Sequence, residues 1–340
     1  MRVLLIGGTG TISSAISSLC IEKGFELYLL NRGNKTAFVP DGAKIITGDI
    51  HQEAEIEQAV NGLSFDVVAD FIAFEPADVE RDCRIFQGRT GQYIFISSAS
   101  AYQKPLSSPF ITESTPLANP YWEYSQKKIA CEEFLMERYR TQGFPVTIIR
   151  PSHTYGNTSV PVAVHGRNGS FSVLERIRKG KKVIVQGDGS SLWTLTHNTD
   201  FAKAFVGIMG NAHALGEIYQ ITSDESLTWN QIYDIIGSAL GVKPKIVHIP
   251  SDVLASLSSD FYGGLIGDKS NSVIFDNTKI KKAVPGFTAT TRFDQGVRRT
   301  LEYIYSHKEC QKEDPEFDAW CDKVIELYEN FVSTLPKYES

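Results

Sequence analysis

Cysteine is scarce: five residues in a chain of 340. Cys20, Cys83, Cys131, Cys310 and Cys321 are widely spaced and form no CxxC pair, which excludes a disulfide scaffold and fits free thiols in a reducing compartment. No cluster of His, Cys, Asp or Glu has metal-ligand spacing, so no metal is expected. No apolar run approaches the roughly 18 residues of a membrane span, and the opening MRVLLIGG is too short an apolar stretch for a signal peptide. The cytosol is therefore the expected location, with no membrane partner. Basic charge is not in excess: 34 Lys and Arg against 40 Asp and Glu leave a net charge of −6, which gives no general attraction to phosphate backbones. Nucleic acid is not an expected partner.

What the chain does have is an ordinary globular composition, 42% hydrophobic, and enough length for one large domain or two interlocked ones. Val3 to Ile6 is a continuous apolar run that stops at GGTGTIS. The apolar residues then fall at Ile12, Ala15, Ile16, Leu19 and Cys20, a switch from buried strand to amphipathic helix. A second strand, Glu26 to Leu30, ends at Asn31-Arg32-Gly33. Strand, Gly-rich turn, helix and strand within about thirty residues is the setting a dinucleotide fingerprint requires. Glycines let the backbone approach a pyrophosphate whose charge sits at the helix N-terminus. Gly7, Gly8 and Gly10 supply this, with Thr9, Thr11 and Ile12 beside them, and Ser13 stands where a third glycine would fall. A turn that binds nothing could use the same residues.

The end of the second strand distinguishes cofactors, since a carboxylate there bonds a ribose 2′-hydroxyl and a base takes a 2′-phosphate. Asn31, Arg32 and Lys35 occur there, and no carboxylate before Asp41, which favours NADP over NAD. Arg32 as a plain solvated charge is the alternative.

Lys44 to Thr47 predicts a third strand, ending at Gly48-Asp49-Ile50. Val67 to Phe71 predicts a fourth and Gln92 to Ile96 a fifth, each separated by helical spacing. This alternation indicates an α/β fold with a doubly wound parallel sheet and its functional edge at the strand C-termini. Ser97 and Ser98 lie at that edge. Residues 103–120, broken by four prolines, read as a loop. A long helix from Tyr121 to about Arg140 is expected to bury Ile129, Phe134 and Leu135, followed by a strand from Val146 to Arg150. On that helix Tyr124 and Lys128 are one turn apart, a hydroxyl beside an ammonium.

With GGTGTIS, Asp49, the SSAS run from Ser97 to Ser100 and Tyr124-Ser125-Gln126-Lys127-Lys128 in this order, the chain resembles the short-chain dehydrogenase/reductase superfamily, and more closely its extended and atypical branch, the NAD-dependent epimerase/dehydratase family. RPSHTYG from Arg150 and GDGSSLWTLTHNTDFAKA from Gly187 agree. The resemblance covers roughly residues 1 to 300. It implies a Rossmann-type domain at 1–156, completed by about 193–224, a smaller substrate-binding lobe from 157–192 and 225–300, and a helical tail at 301–340. It implies that Ser98, Tyr124 and Lys128 match the catalytic serine, tyrosine and lysine. Gly7, Gly8, Gly10 and Asp49, with Ile50, match cofactor contacts. Tyr124 would take a proton from a substrate alcohol, its phenolate favoured by the Lys128 ammonium, and Ser98 would hold the same oxygen. The reaction expected is NAD(P)-dependent oxidoreduction or epimerisation on a small polar, sugar-derived molecule. A homodimer is compatible with the resemblance.

Departures narrow this. Ala99 and Ser100 occupy the places of the acidic pair in the family's dehydratases, so 4,6-dehydration is not expected. His153 and Trp193 stand where nucleotide-sugar enzymes carry Asn and Arg. Ser100, His153, Arg167 and Trp193 are candidate substrate contacts, with structural roles open for His153 and packing for Trp193. FYGGLIGDKS, from Phe261 to Ser270, reads as a lid or a turn. Thr228 should cap a helix bearing Ile232, Ile235 and Ile236. The tail stripe Phe317, Trp320, Val324, Leu327 and Phe331 should dock on the parent domain. A nucleotide-holding, RNA-associated binding protein is the alternative function.

Overall fold

The computed structural model describes residues 1–33 and 38–338. Lys35 lies outside them. The chain divides into two compact units. The first comprises Met1–Tyr155, Thr194–Glu225 and Ile274–Thr291, and the second Gly156–Trp193, Ser226–Val273 and Arg292–Ser340.

The first unit is built on β1 (Arg2–Ile6), β2 (Glu26–Asn31), β3 (Lys44–Thr47), β4 (Val67–Asp70), β5 (Tyr93–Ile96) and the strands Val146–Pro151 and Ile218–Ile221. They form one seven-stranded parallel sheet in the order 218–221, 146–151, β5, β4, β1, β2, β3. Both faces are covered, which is why the central strands are apolar without alternation. Val3 and Leu5 enter a layer with Ile16 and Cys20 of α1 (Ser13–Glu22) and with Phe201 and Phe205 of the helix Asn198–Ile208. Leu4 and Ile6 face the other way, towards the helices α3 (Pro76–Phe86) and α4 (Glu123–Gln142), through Val79, Phe86, Cys131 and Leu135. The short α2 (Glu53–Ala59) adds Ile56 to that layer. Each fully buried aliphatic side chain contributes about 2 kcal/mol. The chain runs from β1 outward to β3 and then returns to β4 on the other side of β1. That reversal opens a crevice beyond the strand C-termini.

Several boundaries differ from expectation for local reasons. β4 stops at Asp70 because its Oδ1 accepts the N–H groups of Ile72 and Ala73, at 2.5 and 2.9 Å, and turns the chain. α4 starts at Glu123 and ends at Gln142, where Gly143, with a φ of 66°, caps the last turn. Its buried residues are Ser125, Lys128, Cys131, Glu132 and Leu135, while Ile129 and Phe134 are only partly buried. The proline-rich loop contains the short strand Phe110–Ile111, paired in parallel with Ile274–Phe275. The stretch Ile274–Thr291, expected in the second lobe, thus lies in the first unit, where Ile280 and Phe287 join the core.

In the second unit Lys182–Gln186 pairs in parallel with Lys245–Ile249. Thr228 caps the helix Trp229–Leu240: Thr228 Oγ1 accepts Gln231 N–H at 3.1 Å, and Gln231 Oε1 accepts Thr228 N–H at 2.8 Å. Ile232 and Ile236 are buried there, and Ile235 partly. Residues Tyr262–Lys269, expected as a lid or turn, are helical, with Leu265 buried. The final helix, Pro315–Thr334, belongs to this unit and is held by Arg176, whose guanidinium meets Asp318 at 2.6 Å and Asp322 at 2.7 Å. Phe317 and Ile325 are buried, whereas Leu327 and Phe331 are exposed. No helix among the described residues is long and apolar enough to cross a membrane.

Candidate active site

A cleft of about 630 Å³ opens at the C-terminal ends of β1, β2 and β4. Gly7, Thr9, Gly10, Asn31, Arg32 and Asp49 line it, with Ile50, Ile72, Phe74 and Glu75. Gly7 is required on two counts. Its φ is +79°, and a Cβ there would stand 2.6 Å from Ile72 Cγ2. Gly8 lies beneath, where a Cβ would come within 2.5 Å of Leu29 Cδ2. Ser13, in place of a third glycine, ties the turn: its hydroxyl donates to the Gly7 carbonyl at 2.7 Å and accepts the Gly10 N–H at 2.8 Å. Thr11 presents its carbonyl to Asn198 Nδ2 at 2.8 Å, and Ile12 opens α1 and packs on the core. A tight glycine-containing turn lining the cleft, just before a helix N-terminus, fits the diphosphate of a dinucleotide.

At the β2 edge, Asn31 Oδ1 accepts the Gly33 N–H at 2.9 Å, and Asp49 Oδ1 accepts the His51 N–H at 3.1 Å. Arg32 is exposed on the rim. Among the described residues it meets no carboxylate.

The loop after β4 was not singled out in the sequence. Asp70 anchors it, is fully buried, and sits beside a second buried acid, Asp82. Burial and the Asp82 charge hold the Asp70 carboxyl well above its ordinary range, against the Arg81 guanidinium 3.7 Å away. Asp82 is bound by Arg81 at 2.8 and 3.0 Å and by the Tyr93 hydroxyl at 2.6 Å. Arg81 also reaches Asp78 at 3.1 Å. An aspartate at a strand end five residues before Glu75-Pro76, the start of a capped helix, was the available signal.

Lys128 is 2% exposed. Its Nζ donates to the carbonyls of Ala73 and Ile96, each at 2.7 Å, and lies 4.8 Å from the ring centres of Phe74 and Phe95 and 5.8 Å from that of Tyr124. Burial lowers its pKa from 10.5 to about 8. Tyr124 is partly buried, with its ring near Trp122 at 5.0 Å and Phe74 at 6.4 Å. Of the two strand-end serines, Ser97 is buried and donates to Glu132, which is paired with Arg150 at 2.6 Å. Ser98 is only partly buried, and its hydroxyl meets that of Ser100 at 2.8 Å.

The expected substrate contacts fall in different settings. Ser100 is 4% exposed, with its hydroxyl engaged by Ser98 and Ser125. His153 is partly buried on the strand His153–Tyr155, which pairs in parallel with Leu195–His197. Trp193 is buried, with its ring 5.6 Å from Trp229. Arg167 is exposed on a tight loop pinned by Asn168, whose Nδ2 donates to the Glu313 carbonyl at 2.8 Å. No group of three or more His, Cys, Asp or Glu residues placed to hold a metal occurs among the described residues.

Fold and cleft together define a dinucleotide-binding α/β protein with a Tyr/Lys pair beside its sheet edge. The chain belongs to the NAD-dependent epimerase/dehydratase family, whose model matches residues 3–222. Among similar curated proteins are a 2'-dehydrokanamycin reductase of Streptomyces kanamyceticus, 23% identical over 76% of this chain and 72% of its own, and an undecaprenol-linked N-acetylglucosaminyl 4-epimerase of Escherichia coli O157:H7, 25% identical over 93% and 98%. A third, the chloroplast stem-loop binding protein of 41 kDa b of Arabidopsis thaliana, is 26% identical over 73% of this chain and 65% of its own length. Among solved structures, the Thermus thermophilus UDP-glucose 4-epimerase in complex with NAD shares the fold at a TM-score of 0.70, with 22% identity over 90% of this chain and 99% of that one.

Proposed function

We propose that the chain is an NAD(P)-dependent oxidoreductase or epimerase that interconverts a hydroxyl and a keto group on a small, sugar-derived substrate. The observation that carries this reading is the seat of Lys128: an ammonium held by two backbone carbonyls under the ring of Tyr124. A free phenol has a pKa near 10, and a fixed cation close by lowers it. Tyr124 then accepts the proton of a substrate hydroxyl, or returns it to a keto oxygen, while Ser98 bonds the same oxygen. A bound nicotinamide would supply the hydride acceptor and donor. Gly7, Gly10 and the N-terminus of α1 would hold its diphosphate, and Arg32 favours a 2′-phosphate, hence NADP over NAD.

Support for a sugar substrate comes from the relatives, whose names include a nucleotide-sugar epimerase and an aminoglycoside reductase. Dehydration is disfavoured, because Ala99 and Ser100 offer no second acid and base. The test is cofactor fluorescence on binding, followed by a screen of nucleotide sugars and aminoglycosides with wild type and Tyr124→Phe. Turnover in wild type and its loss in Tyr124→Phe is the expected result; turnover that survives this change overturns the mechanism. Binding of a stem-loop RNA with steep salt dependence, without cofactor binding, would instead support an RNA-associated protein.

A further inference from the structure

We propose that Ser100 and Ser125 are positioning residues that fix Ser98 as a hydrogen-bond donor towards the substrate oxygen. This rests on the reading of Ser98, Tyr124 and Lys128 as the catalytic set. A hydroxyl has one proton and two acceptor sites, so a free serine can present either to a ligand. The surroundings of Ser98 remove that choice.

The chain of bonds starts at Asn119, which is 2% exposed. Its Oδ1 accepts the Tyr121 N–H at 3.2 Å, which turns Nδ2 inward. Nδ2 donates to the Ser100 carbonyl at 2.7 Å and to Ser125 Oγ at 3.3 Å. Ser125 is fully buried in the first turn of α4, and the acceptor for its proton is Ser100 Oγ at 2.8 Å. Ser100 Oγ, having received that proton, has Ser98 Oγ at 2.8 Å as the acceptor for its own. Ser98 Oγ also takes the Ser100 backbone N–H at 3.2 Å. Both acceptor sites of Ser98 are therefore filled from inside, and its proton has no acceptor among the described residues. Any other assignment leaves a buried hydroxyl proton unpaired, which costs more than it returns. Successive bonds of one polarity also strengthen each other.

The outcome matches the chemistry. A keto oxygen, or one on which negative charge is building, accepts hydrogen bonds only. A Ser98 locked as donor stabilises that oxygen, and its donor is in place before substrate arrives. The sequence shows Ser98, Ser100 and Ser125 as three separate small polar residues; their order as a one-way chain comes from the packing of the turn 99–101 against α4.

Neutron diffraction from deuterium-exchanged crystals of the full chain reads the polarity directly, without any substrate. The Ser100 deuteron should lie on the line to Ser98 Oγ, and the Ser98 deuteron should point away from Ser100. A Ser98 deuteron on the line to Ser100 overturns the inference, and leaves the Tyr/Lys reading untouched. The functional arm uses the substrate that wild type turns over. Ser125→Ala should lower kcat by about tenfold with KM and cofactor affinity unchanged, and Ser125→Cys, which keeps a weak donor, should fall between. Equal loss in Ser125→Ala and Ser125→Cys, or a change confined to KM, argues against the positioning role. Tyr124→Phe inactive with these two normal would place the fault in the chain of serines alone.

Discussion

Asp70 and Lys128 grip opposite ends of one residue. Asp70 Oδ1 accepts the Ala73 N–H at 2.9 Å, and Lys128 Nζ donates to the Ala73 carbonyl at 2.7 Å. The buried acid of β4 and the buried amine of α4 therefore meet through a single residue, and the loop that carries Ile72 and Phe74 into the cleft is set by both.

Asp70→Asn is expected to preserve this arrangement at neutral pH, since an amide oxygen accepts the same two N–H groups and its NH₂ replaces the carboxyl proton facing Asp82. Because the folded pKa of Asp70 lies above its ordinary 3.8, the folded protein keeps a proton that the unfolded chain releases. This group's contribution to stability therefore falls as pH rises from about 3.8. Denaturant unfolding across pH 4 to 8 should show the difference between wild type and Asp70→Asn drifting in favour of the asparagine. A flat difference would mean that Asp70 is ionised in the fold. Asp70→Leu, which orphans two N–H groups, should cost about 1–3 kcal/mol for each group left unpaired.

Lys128→Met should reduce turnover by about 10²–10⁴-fold, the range for loss of acid–base assistance. Its stability carries a second signature. The folded pKa of about 8 lies below the ordinary 10.5, so between these values the unfolded chain binds the extra proton and wild type gains stability as pH rises. Measured from pH 7 to 10.5, wild type should improve relative to Lys128→Met, with most of the change above pH 8. The opposite slope would place the ammonium in a stabilising site.

Gly7→Ala combines a left-handed backbone, which costs a non-glycine residue about 1–2 kcal/mol, with a Cβ only 2.6 Å from Ile72. Both Tm and cofactor affinity should drop. Intact cofactor affinity with a lowered Tm would separate the turn from the binding site.

Arg32→Ala should weaken NADP binding and leave NAD binding within about twofold, because a 2′-phosphate is the one group by which the two differ. Equilibrium titration with both cofactors decides it. Equal losses for both would assign Arg32 to the diphosphate.

The centre of the parallel sheet was legible because strands buried on both faces are written as unbroken apolar runs, and β1, β4 and β5 lie within a residue or two of where those runs stop. The Gly-rich turn was legible because it follows a strand end, and the placing of Tyr124 and Lys128 on one helix because their spacing is one turn. Asp70 was not, because it falls inside the stretch Val67 to Phe71 that reads as one strand, and its buried partner Asp82 comes only later, within α3. Ile274–Thr291 was misplaced because a two-residue strand such as Ile274–Phe275 leaves no periodic trace. The helical Tyr262–Lys269 was hidden by its three glycines, which read as punctuation. For α4, apolar spacing pointed to Ile129 and Phe134, yet the buried positions are mostly polar and are held by hydrogen bonds that no periodicity encodes.

That inward face of α4 has a consequence for how the protein would respond to engineering. Ser125, Lys128 and Glu132 occupy positions that an ordinary amphipathic helix fills with aliphatic side chains. Selection for thermal robustness alone would press on them first, since replacing a well-paired buried Arg150–Glu132 couple or a desolvated amine by apolar residues of matching volume is often neutral or favourable. Laboratory lineages evolved only for heat resistance should therefore accumulate substitutions on this face and lose turnover as they harden.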